Sequence, residues 1–451
     1  MTAAGTATIT QRLSEHVVGL RFRDISPDAV AKTKDLLIHH IASALRGRST
    51  TSGRQAIGIA RELSPTGGQC TIIGQNFGAN LLDAVLANSS LMASAGTADF
   101  LLPPGINPGV AAQPVAWAVG EITRSTGREL LAAVAIGYDV MAKLHGTVWT
   151  WDLDVPRPLK FVIEPFGAAA TAARLLGLTV EQTVWALGHA GQAGMGVYEG
   201  SEYLSFMHPL AARNGIMAAT LAKAGVPASS TIIEGRHGVH RTFFLEDVPD
   251  ALYDGLATLG QEFEISRAQA NRSATSVLNV IPVALAQQLV AEHQLSADHI
   301  ASIQLTLPAE RRSREKAYYS YSHRGPRYLL AIIVTGGQIN VTRFDEAAGP
   351  DVLAMAAKIS LRFEDGHSIY YARVDVNTTD GQRYSAEGDR HDQSPLSWEE
   401  QLGGAGADLL SGVKLRRLAD QLRHLEDVDD ISEVMACLRP GESAPTGGHT
   451  I

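Results

Sequence analysis

From about residue 9 to 260 the apolar residues recur mostly at helical intervals. Ser26-Pro27-Asp28 places a hydroxyl at an N-cap position and proline at the first helical one, where a missing N–H costs nothing. Val30, Leu37, Ile41 and Leu45 then fall on one face. The same spacing predicts helices near 78–95, 109–123, 127–145, 166–176, 180–195 and 211–224. Several are rich in Ala and Gly, as in FGAAATAARLLGL at 166–178, and side chains this small let helix axes approach closely. The expectation is a compact multi-helix body, with no repeat of fixed period to suggest a solenoid.

The pattern changes near residue 265. After a helix at about 275–293, Ile303, Leu305 and Leu307 alternate with polar neighbours, as do Ile359, Leu361 and Phe363 after a helix at about 351–358. Tyr371 to Val376 and the residues beyond Asp380-Gly381 read as a hairpin with its turn. From about 395 the helical period returns, with Leu415, Leu418, Leu422 and Leu425 on one face. The simplest layout is mainly α: a helical domain built from both chain ends (1–265 and 395–440) with a smaller α+β lid domain (266–394) inserted, and a disordered tail at 441–451. A cleft between two such domains is the usual home of an active site.

Composition narrows the function without naming it. The 451 residues are 45% hydrophobic and 19% charged, ordinary for a soluble protein. A net charge of −9 with no basic stripe argues against a nucleic-acid partner. No apolar run approaches the roughly 20 residues a membrane span needs, and the first residues lack the pattern of a secretory leader. Two distant cysteines, Cys70 and Cys437, fit a reducing compartment, so a cytoplasmic location is expected.

Most chemical motifs fail when tested. GQAGMG at 191–196 has the wrong glycine spacing for a dinucleotide loop and follows helical sequence. His237 and His240 have HxxH spacing but no further ligands to complete a metal set. The GxSxG nucleophile elbow is absent, and His39-His40 lies inside an amphipathic helix and reads as structural. One stretch holds attention: NSSLMASAGTADFLLPPGINPG at 88–109 contains a single ionisable acid or base, Asp99, with Asp83 and Glu121 its nearest acidic neighbours. A lone aspartate there is either a general acid/base or a cap on backbone N–H groups.

Six segments, LANSSLMAS (86–94), INPGVAAQPVAWAVGE (106–121), GYDVMAKLHG (137–146), FGAAATAARLLGLTVEQTVWALGHAG (166–191), MHPLAARNGIMAATLAKAGV (207–226) and IIEG (232–235), together resemble the MmgE/PrpD superfamily of 2-methylcitrate dehydratase, cis-aconitate decarboxylase and iminodisuccinate epimerase. The likeness runs over roughly residues 10 to 365. It implies a helical domain with an α+β lid, a homodimer, a small-molecule substrate and no organic cofactor or metal. It also exposes departures. Where the family carries His-x-x-Asp-x-Asp-Asp, this chain has Ala93 to Asp99, so the first two acidic positions are Gly96 and Ala98. The family His-Pro-Gly falls on Asn107-Pro108-Gly109, a second histidine near Pro158, and a lysine on Leu204 or Ser205.

Family substrates are di- or tricarboxylates, and each charge-assisted hydrogen bond to them contributes roughly 1.5–3 kcal/mol. Losing several such partners points to a lyase or isomerase acting on a less anionic substrate by dehydration, epimerisation or cyclisation. An ordinary dehydratase or decarboxylase and a catalytically silent homologue are the alternatives. The catalytic candidates are Asp99, His208 in the family His-Pro position, and Tyr328 as a donor to an enolate oxygen. The substrate-binding candidates are Asn107, Trp151 beside Asp152 and Asp154, and the two carboxylate anchors Lys160 and Arg272.

Overall fold

A computed structural model describes residues 7–101, 105–146, 159–194, 204–244, 248–271, 275–312, 315, 325–337, 349–389 and 397–440. The chain divides into two compact units: 1–149, 158–270 and 396–451 form one, 150–157 and 271–395 the other. The fold is mainly α.

The first unit runs α1 Ile9–Gly19, α2 Pro27–Gly47, α3 Thr51–Leu63, a two-residue-per-strand hairpin (β1 Cys70–Thr71, β2 Gly78–Ala79), α4 Leu81–Ser94, α5 Gly109–Thr123, α6 Gly127–His145, α7 Leu159–Leu175, α8 Val180–Gln192, α9 Leu204–Lys223 and α10 Asp250–Ala257. Their starts follow local chemistry. Ser26 accepts from Ala29 N and Pro27 opens α2 as the sequence predicts. Thr126 with Glu129, and Thr179 with Gln182, form reciprocal capping boxes at α6 and α8. The α7 helix starts seven residues earlier than the apolar period suggested, because Lys160 and Glu164 interrupt the pattern without interrupting the helix.

Every residue of α5 from Gly109 to Glu121 is buried, including Trp117 at zero exposure. A helix apolar on all sides belongs in the middle of its unit, and α4, α6, α7 and α9 all pack against it. The small residues decide how near they come. A Cβ added at Gly215 of α9 would sit 2.6 Å from the Pro165 carbonyl oxygen and 2.8 Å from Ala169 N, both backbone atoms of α7, as well as against the Ala168 methyl. Gly215→Ala must therefore push α9 off α7, with an expected loss of about 2 kcal/mol in urea unfolding. An unchanged midpoint would show that the two helices can slide apart at no cost.

The second unit holds α11 Val280–His293, β3 Ile300–Pro308, α12 Pro326–Val334, α13 Pro350–Ala357, β4 Ile359–Glu364, β5 Ala372–Thr378 and β6 Arg383–Gly388. Its sheet has the order β4-β3-β5-β6, with β3 parallel to β4 (Leu305 opposite Leu361) and the remaining pairs antiparallel. Ile303, Leu305 and Leu307 are buried, as their alternation predicts. The β5–β6 turn places Gly381 at φ +85°, the left-handed conformation glycine adopts without strain. The chain then returns to the first unit through α14 Trp398–Gly406, α15 Gly412–Arg423 and α16 Ile431–Cys437. The predicted apolar face of this closing segment is present: Leu418, Leu422 and Leu425 are buried, and Leu415 is partly buried against the core. Among the described residues no helix is long and apolar enough to cross a membrane.

Candidate functional site

Asp99 sits at the entry to α5, and its side chain is completely buried. Gly109 N donates to Oδ1 at 3.0 Å and the Tyr138 hydroxyl to Oδ2 at 2.7 Å. His40 Nε2 lies 3.2 Å from Oδ1. The other ring nitrogen, Nδ1, faces the Leu36 carbonyl at 3.0 Å and must donate to it. Nε2 in turn accepts from the Asp99 backbone N–H at 3.4 Å. Tyr138 has its phenol pushed well up by burial and by the neighbouring carboxylate, so it stays a donor. Both Asp99 oxygens are thus occupied from within, in a capping arrangement on the first residue of α5.

Gly96, where the first acid would stand, adopts φ +67°, a conformation strained for any residue bearing a Cβ. The loop turns there instead of presenting a carboxylate.

A second polar cluster forms where α7 meets α9. His208 Nδ1 is 2.8 and 2.9 Å from the two carboxylate oxygens of Glu164, at 4% and 1% exposure respectively. Only an N–H can face a carboxylate this way, which fixes the proton on Nδ1 and leaves Nε2 as the basic nitrogen. Among the described residues nothing bonds to Nε2. Each member of the pair is followed by a proline inside its helix, Pro165 in α7 and Pro209 in α9. A helix-internal proline removes one i→i−4 hydrogen bond, yet each helix runs on through it. Phe161 packs its ring on His208, 4.9 Å between centroids.

The two clusters are joined. Asn107 Nδ2 donates to the Asp99 carbonyl at 2.6 Å, and its Oδ1 accepts from Lys160 Nζ at 3.3 Å. The same ammonium lies 4.9 Å from the centre of the Phe161 ring, close enough for a cation–π contact. Four of the residues singled out in the sequence, Asp99, Asn107, Lys160 and His208, are therefore brought together through Phe161. Tyr328 stands on α12 of the other unit, half-buried, with burial raising its phenol. Trp151 and Arg272 lie outside the described residues, as do Pro158 and the tail at 441–451.

Sequence reasoning missed His40, Tyr138, Glu164 and His145. His40 reads as one more residue on a buried helix face, and its meeting with Asp99 spans 59 positions. Glu164 carried a weak signal: it follows Lys160 by one helical turn and is a lone acid in an apolar run. His145, the last residue of α6, is 4% exposed and its imidazole is held down to about 4 by burial first and by Lys160 after it. His39 is held down to about 3 by burial and by the adjacent His40.

Those two histidines carry a pH consequence. The unfolded chain takes up their protons near pH 6.5, whereas the fold keeps the rings neutral until about 4 and 3. Between these values the unfolded state binds more protons, so acidification below 6.5 destabilises the fold. His145→Leu should lose less unfolding free energy than the wild type between pH 7 and pH 4.5. Parallel pH profiles for the two would show that His145 protonates as easily folded as unfolded.

Comparison with known proteins adds to this geometry. A model of the MmgE/PrpD N-terminal domain matches residues 11–251, more than half of the chain and the part that carries both clusters. The cis-aconitate decarboxylase-like protein oryM of Aspergillus oryzae (strain ATCC 42149 / RIB 40) is 26% identical over 251 residues, and that match spans 53% of this chain and 52% of the relative. The cis-aconitate decarboxylase of Aspergillus terreus is 22% identical over 472 residues, 95% of this chain and 96% of that one. The same-named protein of Aspergillus terreus (strain NIH 2624 / FGSC A1156) is 21% identical over 476 residues, again covering 95% and 96%.

Proposed function

Because the chain belongs to the MmgE/PrpD family, and its function is of that family's lyase type, we propose that it moves a proton next to a carbonyl or carboxyl group of a substrate less anionic than cis-aconitate. The observation that carries this reading is the Glu164–His208 pair, with 2.8 and 2.9 Å separating the imidazole nitrogen from the two oxygens. His208 Nε2 takes a proton from the substrate carbon, and the electron pair of the broken C–H bond moves into the adjacent carbonyl to form an enolate. Glu164 stabilises the imidazolium that results, as a carboxylate-backed histidine does in other general bases. Lys160 pairs with a substrate carboxylate, and Asn107 orients that ammonium against the loop that Asp99 holds. Asp99 acts as a positioning residue, since its own oxygens are taken. From the enolate the reaction proceeds by expulsion of a leaving group, by reprotonation on the other face, or by ring closure.

The substrate class follows from charge. Asn107 offers an amide where the family resemblance places a histidine, and His145 stays neutral near pH 7. Fewer ionic partners mean weaker holding of a trianion, each lost one by about tenfold or more. A second reading, decarboxylation of cis-aconitate itself, is favoured by the two relatives of that name that align over almost the whole chain. The two are separated by incubating the protein in D₂O with cis-aconitate, its monomethyl ester and 2-methylcitrate, and following carbon-bound deuterium and products by NMR. The proposal expects deuterium entry with the monoester and no comparable turnover of the two polyanions. Turnover of cis-aconitate or 2-methylcitrate at about 1 s⁻¹ or faster, an ordinary enzyme rate, would end it.

A further inference from the structure

We propose that the first unit carries a second small-molecule site, separate from both polar clusters, that takes an aromatic amino acid in its zwitterionic form. A cavity of about 590 Å³ opens between residues 22–35, which lead into α2, and the closing helices α14 and α15. Ligand pockets typically hold roughly 300–1,000 Å³. None of the lining residues belongs to the Asp99 or the Glu164–His208 cluster, so the inference stands apart from the proton-transfer reading. The walls are apolar. Buried Ile25 and half-buried Val30 lie beside two half-buried rings, Phe22 and Trp398. Each ring has an arginine against it: Arg128 at 5.8 Å from the centre of Phe22, Arg423 at 5.7 Å from that of Trp398. The Trp398 indole N–H donates to Asp35 Oδ1 at 2.9 Å, which fixes the plane of its ring.

The charges around these rings have both signs, and they differ in what they have left to give. Lys34 is committed: its ammonium donates to the Arg423 carbonyl at 2.7 Å and pairs with the Glu426 carboxylate, so it braces the wall. Asp35 is half committed. Nothing among the described residues pairs with its Oδ2. Arg423 gives Nη2 to Glu399, and among the described residues no other group meets the rest of its N–H donors. Asp35 and Arg423 therefore flank the same indole, one at its N–H and the other near its face, each with capacity to spare. A ring laid on Trp398 has an acceptor for an ammonium on one side and a donor fork for a carboxylate on the other. A plain anion would meet Asp35 and Glu426, and a plain cation would meet Arg423 and Arg23. A ligand that carries both charges on one carbon beside an aromatic group satisfies both sides at once.

Calorimetric titration of the full-length protein with three probes tests the site: L-phenylalanine, 3-phenylpropanoate, which lacks the ammonium, and 2-phenylethylamine, which lacks the carboxylate. L-Phenylalanine should bind one to one, and each truncated probe about tenfold or more weaker. Asp35→Asn keeps an oxygen for the Trp398 indole but loses the negative charge. It should bring L-phenylalanine down to the affinity of 3-phenylpropanoate and leave that of the propanoate within about threefold. Arg423→Gln should erase the preference for L-phenylalanine over 2-phenylethylamine in the same way. His208→Ala separates this idea from the proton-transfer reading: it should abolish deuterium exchange with the monoester and leave L-phenylalanine binding unchanged. No saturable binding of L-phenylalanine up to about 10 mM would overturn the proposal. So would equal affinity for either truncated probe, or wild-type affinity for L-phenylalanine in both Asp35→Asn and Arg423→Gln.

Discussion

Gly109→Ala is expected to lower the unfolding free energy by about 3 kcal/mol or more. A Cβ at this position would lie 2.7 Å from Asp99 Oδ1 and 2.7 Å from the Tyr138 hydroxyl, and would run into Cε1 of His40. All three neighbours are completely buried, so none can swing into solvent to make room. Overpacking a rigid site costs about 1–3 kcal/mol. The displaced aspartate would also lose hydrogen bonds that involve a charged group, each contributing roughly 1.5–3 kcal/mol. Urea unfolding measures the sum. Tyr138→Phe in the same chain removes one of the colliding oxygens, so the double variant should lose less than the two single losses added together. A Gly109→Ala loss below about 1 kcal/mol would mean that the Asp99 loop is looser than its hydrogen bonds suggest.

Glu164→Gln carries the largest expected effect on rate. The amide can still accept from His208 Nδ1, so the ring keeps its place and the fold changes little. The imidazolium formed during proton abstraction, however, loses its neighbouring negative charge in a buried setting where that charge counts most. A positioned acid/base contributes typically 10²–10⁴-fold, and removing its carboxylate partner should reduce deuterium exchange with the monoester by about 10²-fold. Asp99→Asn, by contrast, should act mainly on stability. If Glu164→Gln exchanges at the wild-type rate while Asp99→Asn does not, the roles of the two acids are reversed.

The cluster at α7 and α9 explains why half of the site could be read in advance. His208 announced itself by standing before a proline in a recognisable segment, and Asn107 by filling a histidine position. Glu164 had no such marker, because a single acid among FVIEPFG looks like a defect in an apolar pattern. Its purpose appears only when α9 is laid on α7 closely enough for His208 to reach it. That closeness depends on Gly215, which contacts the backbone of Pro165 and Ala169. In the same way His40 reads locally as a packing residue, since nothing nearby tells which of two adjacent histidines will meet an aspartate far along the chain. His39 instead turns its Nε2 to the Thr97 carbonyl at 2.6 Å.

The linear order of residues determined the helices and strands, their capping, the mainly α class and the family, because these follow from interactions among neighbours a few positions apart. Tertiary structure alone decided that Asp99 is enclosed by His40, Tyr138 and Gly109, and that Glu164 backs His208. It also decided that the imidazole of His145 is buried and kept neutral near pH 7. The physical reason is range. Periodicity reports which face of a helix is buried, whereas the partner of a buried charge is chosen by helix crossings that a few glycines permit.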